Sequence, residues 1–137
     1  MIRALLIATV LAVAAPAAAG DASEEPAMEF ASYSFVTLKK GPKWSAEDTT
    51  ENRELQAAHL AHFRAMAEAG HLLVCGPFSE QQDEAIRGIC IYRVPLEEAR
   101  AHAEADPRVQ AGHLVVDVMT WWTEKGVLAF PKATPPG

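Results

Sequence analysis

The order in which strand-like and helix-like segments alternate is the feature that most constrains the fold of this chain. Residues 29–38, EFASYSFVTL, are rich in β-branched and aromatic residues and predict a first strand. A helix of about 19 residues is expected next, because Thr49 or Thr50 can cap its start and Gly70 suits its end. Between these ends apolar residues recur at helical spacing, at Leu55, Leu60, Phe63 and Met66.

The second half of the chain supplies three more strands and one more helix. The two strands that follow are separated by a polar loop and predict a hairpin, and Pro95 is placed to open the second helix. The expected segments are strands at 71–78, 88–94 and 113–122, a helix at 95–105, and a turn or short helical piece at 106–112. The order β-α-β-β-α-β predicts an α+β, ferredoxin-like fold with a four-stranded antiparallel sheet and two helices on one face.

The last strand indicates what happens on the other face of this sheet. Alternation directs Leu114, Val116 and Val118 towards the helices, and the intervening residues the opposite way. The intervening set is mixed but too apolar to be left in water: His113, Val115, Asp117, Met119 and Trp121. We therefore expect this face to pack on a second subunit, which makes a homodimer with a shared cavity.

Both ends of the chain are expected to lie outside the folded domain, which we place at residues 29–125. Residues 1–19 have a basic Arg3, an apolar centre and small residues before a cleavage site, the pattern of a secretory signal peptide. Residues 20–28 are expected to be a flexible lead-in, and residues 126–137 a Pro-rich tail. The mature protein is therefore predicted to be periplasmic or secreted, and not membrane-bound after cleavage.

Charge and motifs exclude several classes of function. The net charge of −6 argues against a protein that binds the nucleic-acid backbone, which needs a basic surface. No phosphate-binding glycine loop and no cofactor motif is present in the sequence, so no cofactor is expected.

Two histidines on the first helix, His59 and His62, are the main candidates for chemistry. They are three residues apart and share a helix face. Each could be a half-buried, hydrogen-bonded residue, or both could bind a metal ion if the chain brings a third ligand to them, from among His71, His102, His113, Asp106 and Asp117. Alternatively, one histidine could transfer protons with an orienting carboxylate, for which Asp106 is a candidate, although Asp106 could equally cap the turn that Pro107 begins.

The cysteines, tryptophans and Tyr33 leave further alternatives open. Cys75 and Cys90 are equidistant from the expected hairpin turn, so they could form a disulfide in an exported protein or remain free core residues. Trp121 and Trp122 should point to opposite faces, one packed on the helices and the other at the dimer or cleft surface. Tyr33 could orient a substrate oxygen or serve only as a strand residue.

Two stretches of the sequence resemble the YciI-like (YCII-related) family. They are AAHLAHFRAMAEAGHLLVCGPF at 57–78 and EEARAHAEADPRVQAGHLVVDVMTWW at 97–122, and the likeness extends over about residues 30–123. The resemblance implies a ferredoxin-like dimer related in shape to muconolactone isomerases and dimeric α+β barrels. It also implies a His-Asp pair in a cleft, which by position would be His59 and Asp106, and leaves His62 as a local residue.

The resemblance favours an enzyme with an unknown substrate. One distant group of relatives removes chloride from chlorinated hydroxylated aromatics, whereas most members have no established activity. His59 would exchange a proton with a small polar ring or lactone while Asp106 holds its tautomer, in an isomerase or lyase type of reaction. The alternative is a module that binds a small ligand without turnover, or a purely structural dimer.

Overall fold

The computed structural model describes residues 27–130, and the expected signal peptide lies outside this range, as do most of the lead-in and the end of the tail. Four strands and three helices follow one another in the predicted order, with the expected helical piece at 106–112 forming the short third helix. They are β1 (Phe30–Lys40), α1 (Thr50–Glu68), β2 (Leu72–Pro77), β3 (Ile86–Tyr92), α2 (Leu96–Glu104), α3 (Pro107–Gln110) and β4 (Leu114–Glu124).

The strands form one antiparallel sheet in the order β2-β3-β1-β4. The first strand is therefore central and pairs with the last along its whole length, from Phe30 opposite Glu124 to Lys40 opposite Leu114. This α+β arrangement, with a four-stranded antiparallel sheet and three helices, is consistent with the predicted ferredoxin-like fold.

The core lies between the sheet and the helices. Val36 and Val118 are paired neighbours on β1 and β4, and both are buried with Leu38 and Leu114. The predicted inward residues of β4 are confirmed, although Val116 is only partly buried. Ala99 and Ala103 are buried on α2, where their small side chains allow the helix to approach the sheet closely.

The ends of α1 are where the sequence predicts them. The Thr49 side chain accepts a hydrogen bond from the Asn52 backbone N–H at 3.1 Å, which makes Thr49 the N-cap. At the other end Gly70 has a φ of 78°, and the next residue, His71, donates its N–H to the Met66 carbonyl at 3.0 Å. These two caps define where the helix that carries His59 and His62 begins and ends.

Two details of the prediction are wrong. Ile86 and Arg87 belong to β3 and not to the polar loop, because Ile86 pairs with Lys39 on the central strand. Trp122 does not pack on the helices: it is 61% exposed, near the end of the sheet, where Phe30 is also exposed. The face that the helices leave uncovered carries Trp121, which contacts the Tyr33 and Phe35 rings at centroid distances of 6.1 and 6.0 Å.

Within residues 27–130, no helix combines the length and the apolar character that crossing a bilayer requires.

Candidate active site

The centre of the site is a hydrogen-bonded pair formed by α1 and the start of α3. The His59 Nδ1 and Asp106 Oδ2 atoms are 2.6 Å apart, although the two residues are 47 positions apart in the chain. His59 is 8% exposed and Asp106 is fully buried at 0%. A carboxylate acceptor favours the imidazole tautomer that carries its hydrogen on Nδ1, and this leaves Nε2 as the basic nitrogen.

Asp106 performs both of the roles that the sequence left open. Its Oδ1 atom accepts the Arg108 backbone N–H at 2.9 Å and so caps α3, while its Oδ2 atom faces His59. The cap fixes the orientation of the carboxylate, because each oxygen has a different partner. This fixed orientation is what allows a short contact with a histidine on another helix.

His62 is separated from this pair by its own hydrogen bond. Its Nε2 atom lies 2.9 Å from the His102 carbonyl oxygen, which can only accept, so Nε2–H is the donor. His62 thus connects α1 to α2 and is half-buried. The two histidines share a helix face but differ in their hydrogen-bond partners, since one contacts a carboxylate and the other a backbone carbonyl.

Within residues 27–130, the structure brings Asp106 to His59 but does not gather three possible metal ligands around His59 and His62. Among the described residues a different group could hold a metal ion, namely His71, Glu98 and His102, whose ligand atoms all lie within 4.8 Å of one another. Of the other residues considered, Asp117 is exposed and forms an ion pair with Lys39 at 3.5 Å.

His59 lines a cavity of about 280 Å³ beneath α1. Its ring meets that of Phe63 edge-on, with the centroids 4.3 Å apart, and both side chains belong to the cavity wall. Within residues 27–130, His59 Nε2 makes no hydrogen bond, so a molecule in the cavity could use it. The volume is slightly below the usual range for ligand pockets, roughly 300–1,000 Å³, so the cavity suits a small molecule.

Sequence reasoning missed the cationic side of this cavity. Arg87 and Arg108 line it, and each guanidinium carbon lies 4.9 Å from the centroid of the Trp44 ring. Gln56, one turn before His59 on α1, accepts a hydrogen bond from Arg108 Nη1 at 2.5 Å. Of these residues, only Arg108 could have been linked to the site from the sequence, because it lies two positions after the candidate residue Asp106.

Tyr33 and Tyr92 lie outside the cavity wall. Tyr33 packs on Trp121 and Phe130, so the structure favours its strand role over substrate orientation. Tyr92 is buried in the core, and burial, followed by the negative charge of Asp106, raises its pKa to about 12. Its hydroxyl has no hydrogen-bond partner among the described residues.

Cys75 and Cys90 are joined in a disulfide across β2 and β3, which decides between the two alternatives that the sequence left open. They are direct register partners, with their Cα atoms 4.1 Å apart. Cys75 lies in the cavity wall, so the disulfide ties the strand that borders the site to the middle of the sheet.

Comparison with known proteins gives a family and seven chains of solved structures. The YCII-related domain matches residues 34–122 of the chain. One of these structures is 5-chloro-2-hydroxyhydroquinone dehydrochlorinase from Burkholderia phenoliruptrix in complex with 2,5-dihydroxybenzoquinone. The chains are 21% identical, with a TM-score of 0.42, and the match covers 64% of this chain and 90% of that chain. No curated protein sequence matches this chain.

Proposed function

This chain belongs to the YCII-related domain family, and we propose that it is a small-molecule enzyme in which His59 and Asp106 transfer a proton. The observation that carries the proposal is the 2.6 Å contact between the buried Asp106 carboxylate and Nδ1 of His59, which lies in the wall of a cavity. A histidine oriented by a carboxylate is a common general base.

In the proposed mechanism His59 Nε2 accepts a proton from a carbon next to a carbonyl group or within a hydroxylated ring. Asp106 keeps the Nδ1 hydrogen in place and stabilises the imidazolium that forms. The electron pair left on carbon either becomes a double bond as a neighbouring leaving group departs as an anion, or receives the same proton at another position. The first outcome is a lyase reaction and the second an isomerisation. General acid–base catalysis of this kind contributes about 10²–10⁴-fold in rate.

Solvent exchange tests this proposal before the natural substrate is known. Small lactones and hydroxylated aromatic compounds would be incubated with the protein in D₂O, and loss of substrate C–H signals followed by NMR. We expect exchange with the wild-type protein, a decrease of about 10²–10⁴-fold in His59→Gln, and little change in His62→Gln as the matched control. Equal exchange in His59→Gln would contradict the mechanism. A compound that binds without any exchange would favour the alternative, a ligand-binding module.

We further propose that the mature domain forms a homodimer of the dimeric α+β barrel type through the uncovered face of the sheet. The exposed Val115 and Met119 side chains on that face support this, because apolar patches of this kind mark protein interfaces. Light scattering after size-exclusion chromatography should give twice the monomer mass. Met119→Glu should shift the protein to the monomer, and a monomeric wild-type protein at micromolar concentration would contradict the proposal.

Export to the periplasm or the medium is also proposed. It is supported by the signal-like residues 1–19 and by the Cys75–Cys90 disulfide, since disulfides persist in oxidising compartments. Mass spectrometry of protein recovered from a bacterial periplasmic fraction should show the loss of about the first 19 residues. Full-length protein found only in the cytoplasm would contradict export.

A further inference from the structure

The charged side chains that line the cavity are both arginines, in a chain whose net charge is −6. Arg87 reaches the cavity from β3 and Arg108 from the first turn of α3. No carboxylate among the described residues lines the cavity, since Asp106 lies behind His59 and is fully buried. The wall beside His59 is therefore locally cationic.

Trp44 holds both guanidinium groups in place. Each guanidinium carbon is 4.9 Å from the centroid of the Trp44 ring, a distance at which the cation is attracted to the face of the indole. Trp44 is itself partly buried and packs against the core. The two arginines are thus positioned by an aromatic surface, and neither forms an ion pair with any residue between 27 and 130.

The donor atoms of the two arginines are incompletely used. Arg108 donates Nη1–H to Gln56 Oε1 at 2.5 Å, which leaves the opposite edge of its guanidinium, formed by Nε and Nη2. The Nε atoms of Arg87 and Arg108 are both buried and lack acceptors among the described residues. A buried donor without an acceptor is unfavourable, and the Nε–Nη2 edge of an arginine matches the two oxygens of a carboxylate.

The electrostatics of Arg108 agree with this geometry. Burial lowers the pKa of its guanidinium, Asp106 raises it, and the neighbouring positive charge of Arg87 lowers it. Arginine nevertheless stays protonated in proteins. Two like charges are therefore held close together, and neither has an ion-pair partner within residues 27–130. An anion in the cavity would reduce the repulsion between the two arginines and supply the hydrogen-bond acceptors that they lack.

We propose that the ligand of this cavity is a small organic carboxylate, whose carboxylate group is bound by Arg87 and Arg108 and whose apolar body packs against Leu60 and Phe63. This inference rests on the proposed function and specifies its substrate class. The carboxylate anchors the molecule at one wall, and His59 Nε2 at the same cavity meets the rest of it. Arginine suits this task better than lysine, because its planar fork binds both oxygens at once.

Benzoate and benzamide are suitable probes, since they have the same shape and differ in the charge of one group. Binding to the wild-type protein would be measured by calorimetry and by the Nε–H signals of the arginines in ¹H–¹⁵N spectra. We expect benzoate to bind about 10- to 100-fold more tightly than benzamide, the range for hydrogen bonds to a charged partner. Benzoate should shift two arginine Nε–H signals, those of Arg87 and Arg108.

Variants locate the binding to these two residues. Arg87→Gln and Arg108→Gln should each weaken benzoate binding by about 10-fold or more, and Arg108→Lys should restore it only in part because the fork is lost. Arg93→Gln is the matched control, because Arg93 is exposed, lies outside the cavity wall and carries the same charge. Circular dichroism would establish that each variant is folded.

The outcomes separate this inference from the proposed function. Equal affinity for benzoate and benzamide, or unchanged binding in both Gln variants, would overturn the carboxylate proposal and leave the proton-transfer proposal to the D₂O experiment. Benzoate binding retained in Asp106→Asn is expected, because Asp106 does not contact the ligand. Tight, arginine-dependent benzoate binding in a protein that never exchanges a substrate C–H would support the carboxylate site and contradict the enzyme.

Discussion

His59 and His62 lie on the same face of α1, three residues apart, and yet their surroundings have almost nothing in common. His59 Nδ1 lies 2.6 Å from a fully buried carboxylate, and the rest of its ring lines a cavity. His62 Nε2 lies 2.9 Å from the carbonyl oxygen of His102, and His62 is not part of the cavity wall. The helix supplies both imidazoles, and α2 and α3 determine what each one can do.

The comparison shows that the partner of a histidine determines its chemistry more than its position on a helix does. A neutral carbonyl is satisfied by one N–H and has no charge with which to stabilise an imidazolium. A buried carboxylate can stabilise the imidazolium and also selects the tautomer. Variants that alter the two histidine environments should therefore differ most in their effect on catalysis and less in their effect on stability. A variant at the end of α1 should affect both environments equally.

The largest difference is expected for Asp106→Asn. The introduced amide should keep its oxygen on the Arg108 N–H, where Asp106 Oδ1 lies at 2.9 Å, so its NH₂ group would face His59 Nδ1. Nδ1 must then accept, and the hydrogen moves to Nε2, which removes the base from the cavity. The matching change in the serine-protease triad costs about 10⁴-fold in rate, and we expect a similar loss of C–H exchange.

Nitrogen NMR of the imidazoles tests the cause of that loss directly. The wild-type protein should show His59 with its hydrogen on Nδ1, and Asp106→Asn should show it on Nε2, with His59→Gln identifying the signals. His62 should keep its hydrogen on Nε2 in both proteins, because its carbonyl partner is unchanged. An unchanged His59 tautomer in Asp106→Asn would refute the explanation even if activity fell.

Removal of each side chain should separate the histidines in stability. His59→Ala leaves the buried Asp106 carboxylate with only the Arg108 N–H, and a buried charge left without its partner costs about 3–5 kcal/mol. His62→Ala removes one partly buried hydrogen bond, which is worth about 1 kcal/mol. Urea unfolding would measure both. In the double variant His59→Ala with Asp106→Leu, part of the loss should be recovered, since no buried charge remains.

Thr49→Ala should lower the stability of the helix that carries both histidines, without distinguishing between them, and by less than His59→Ala does. It removes the hydrogen bond from the Asn52 N–H that caps α1, at a cost of about 1 kcal/mol. Thr50→Ala is the matched control, because within residues 27–130 the Thr50 hydroxyl has a side-chain hydrogen bond only to the exposed Arg53 side chain, at 3.2 Å. Both histidine tautomers should be unchanged in either variant. A selective change at His59 would show that its geometry depends on the end of the helix and not on Asp106.

The fold was largely predictable because strand and helix periods are local properties of the sequence. The ends of α1 and the order of the elements follow from residues such as Thr49 and Gly70, which act on their immediate neighbours. Arg87 was misplaced because its strand begins where Ile86 pairs with Lys39, and pairing between distant segments is not visible in a local pattern. Trp122 was misplaced for a related reason, since alternation gives the side of the sheet but not how far the helices extend.

The candidate site was less accessible than the fold. His59 and Asp106 are 47 residues apart, and no spacing rule brings them together, so the pair was suggested by family resemblance and not by periodicity. The arginine side of the cavity was missed because Trp44, Arg87 and Arg108 come from a loop, a strand and a short helix. Convergence of this kind depends on the tertiary structure. The same holds for the two roles of Asp106, which caps α3 and contacts His59.

The smallest effect on stability at neutral pH should come from Tyr92→Phe. This variant also tests whether the negative charge of Asp106 acts on Tyr92. The Tyr92 hydroxyl is buried without a partner in the described residues, so its loss should change stability by less than about 1 kcal/mol. Burial, and secondarily Asp106, raise the Tyr92 pKa to about 12, above the usual value of about 10. The folded state therefore favours the protonated phenol, and this contribution to stability is complete below about pH 10 and is lost as the pH rises through about 12. Between these pH values Tyr92→Phe should lose less stability than the wild-type protein, as measured by urea unfolding.

Asp106→Asn should lower the Tyr92 pKa by part of the shift, because burial is the larger cause, and His62→Ala should leave the Tyr92 pKa unchanged. Absorbance at 295 nm would follow the titration. An equal response to Asp106→Asn and His62→Ala would mean that the two histidine environments are not electrostatically distinct.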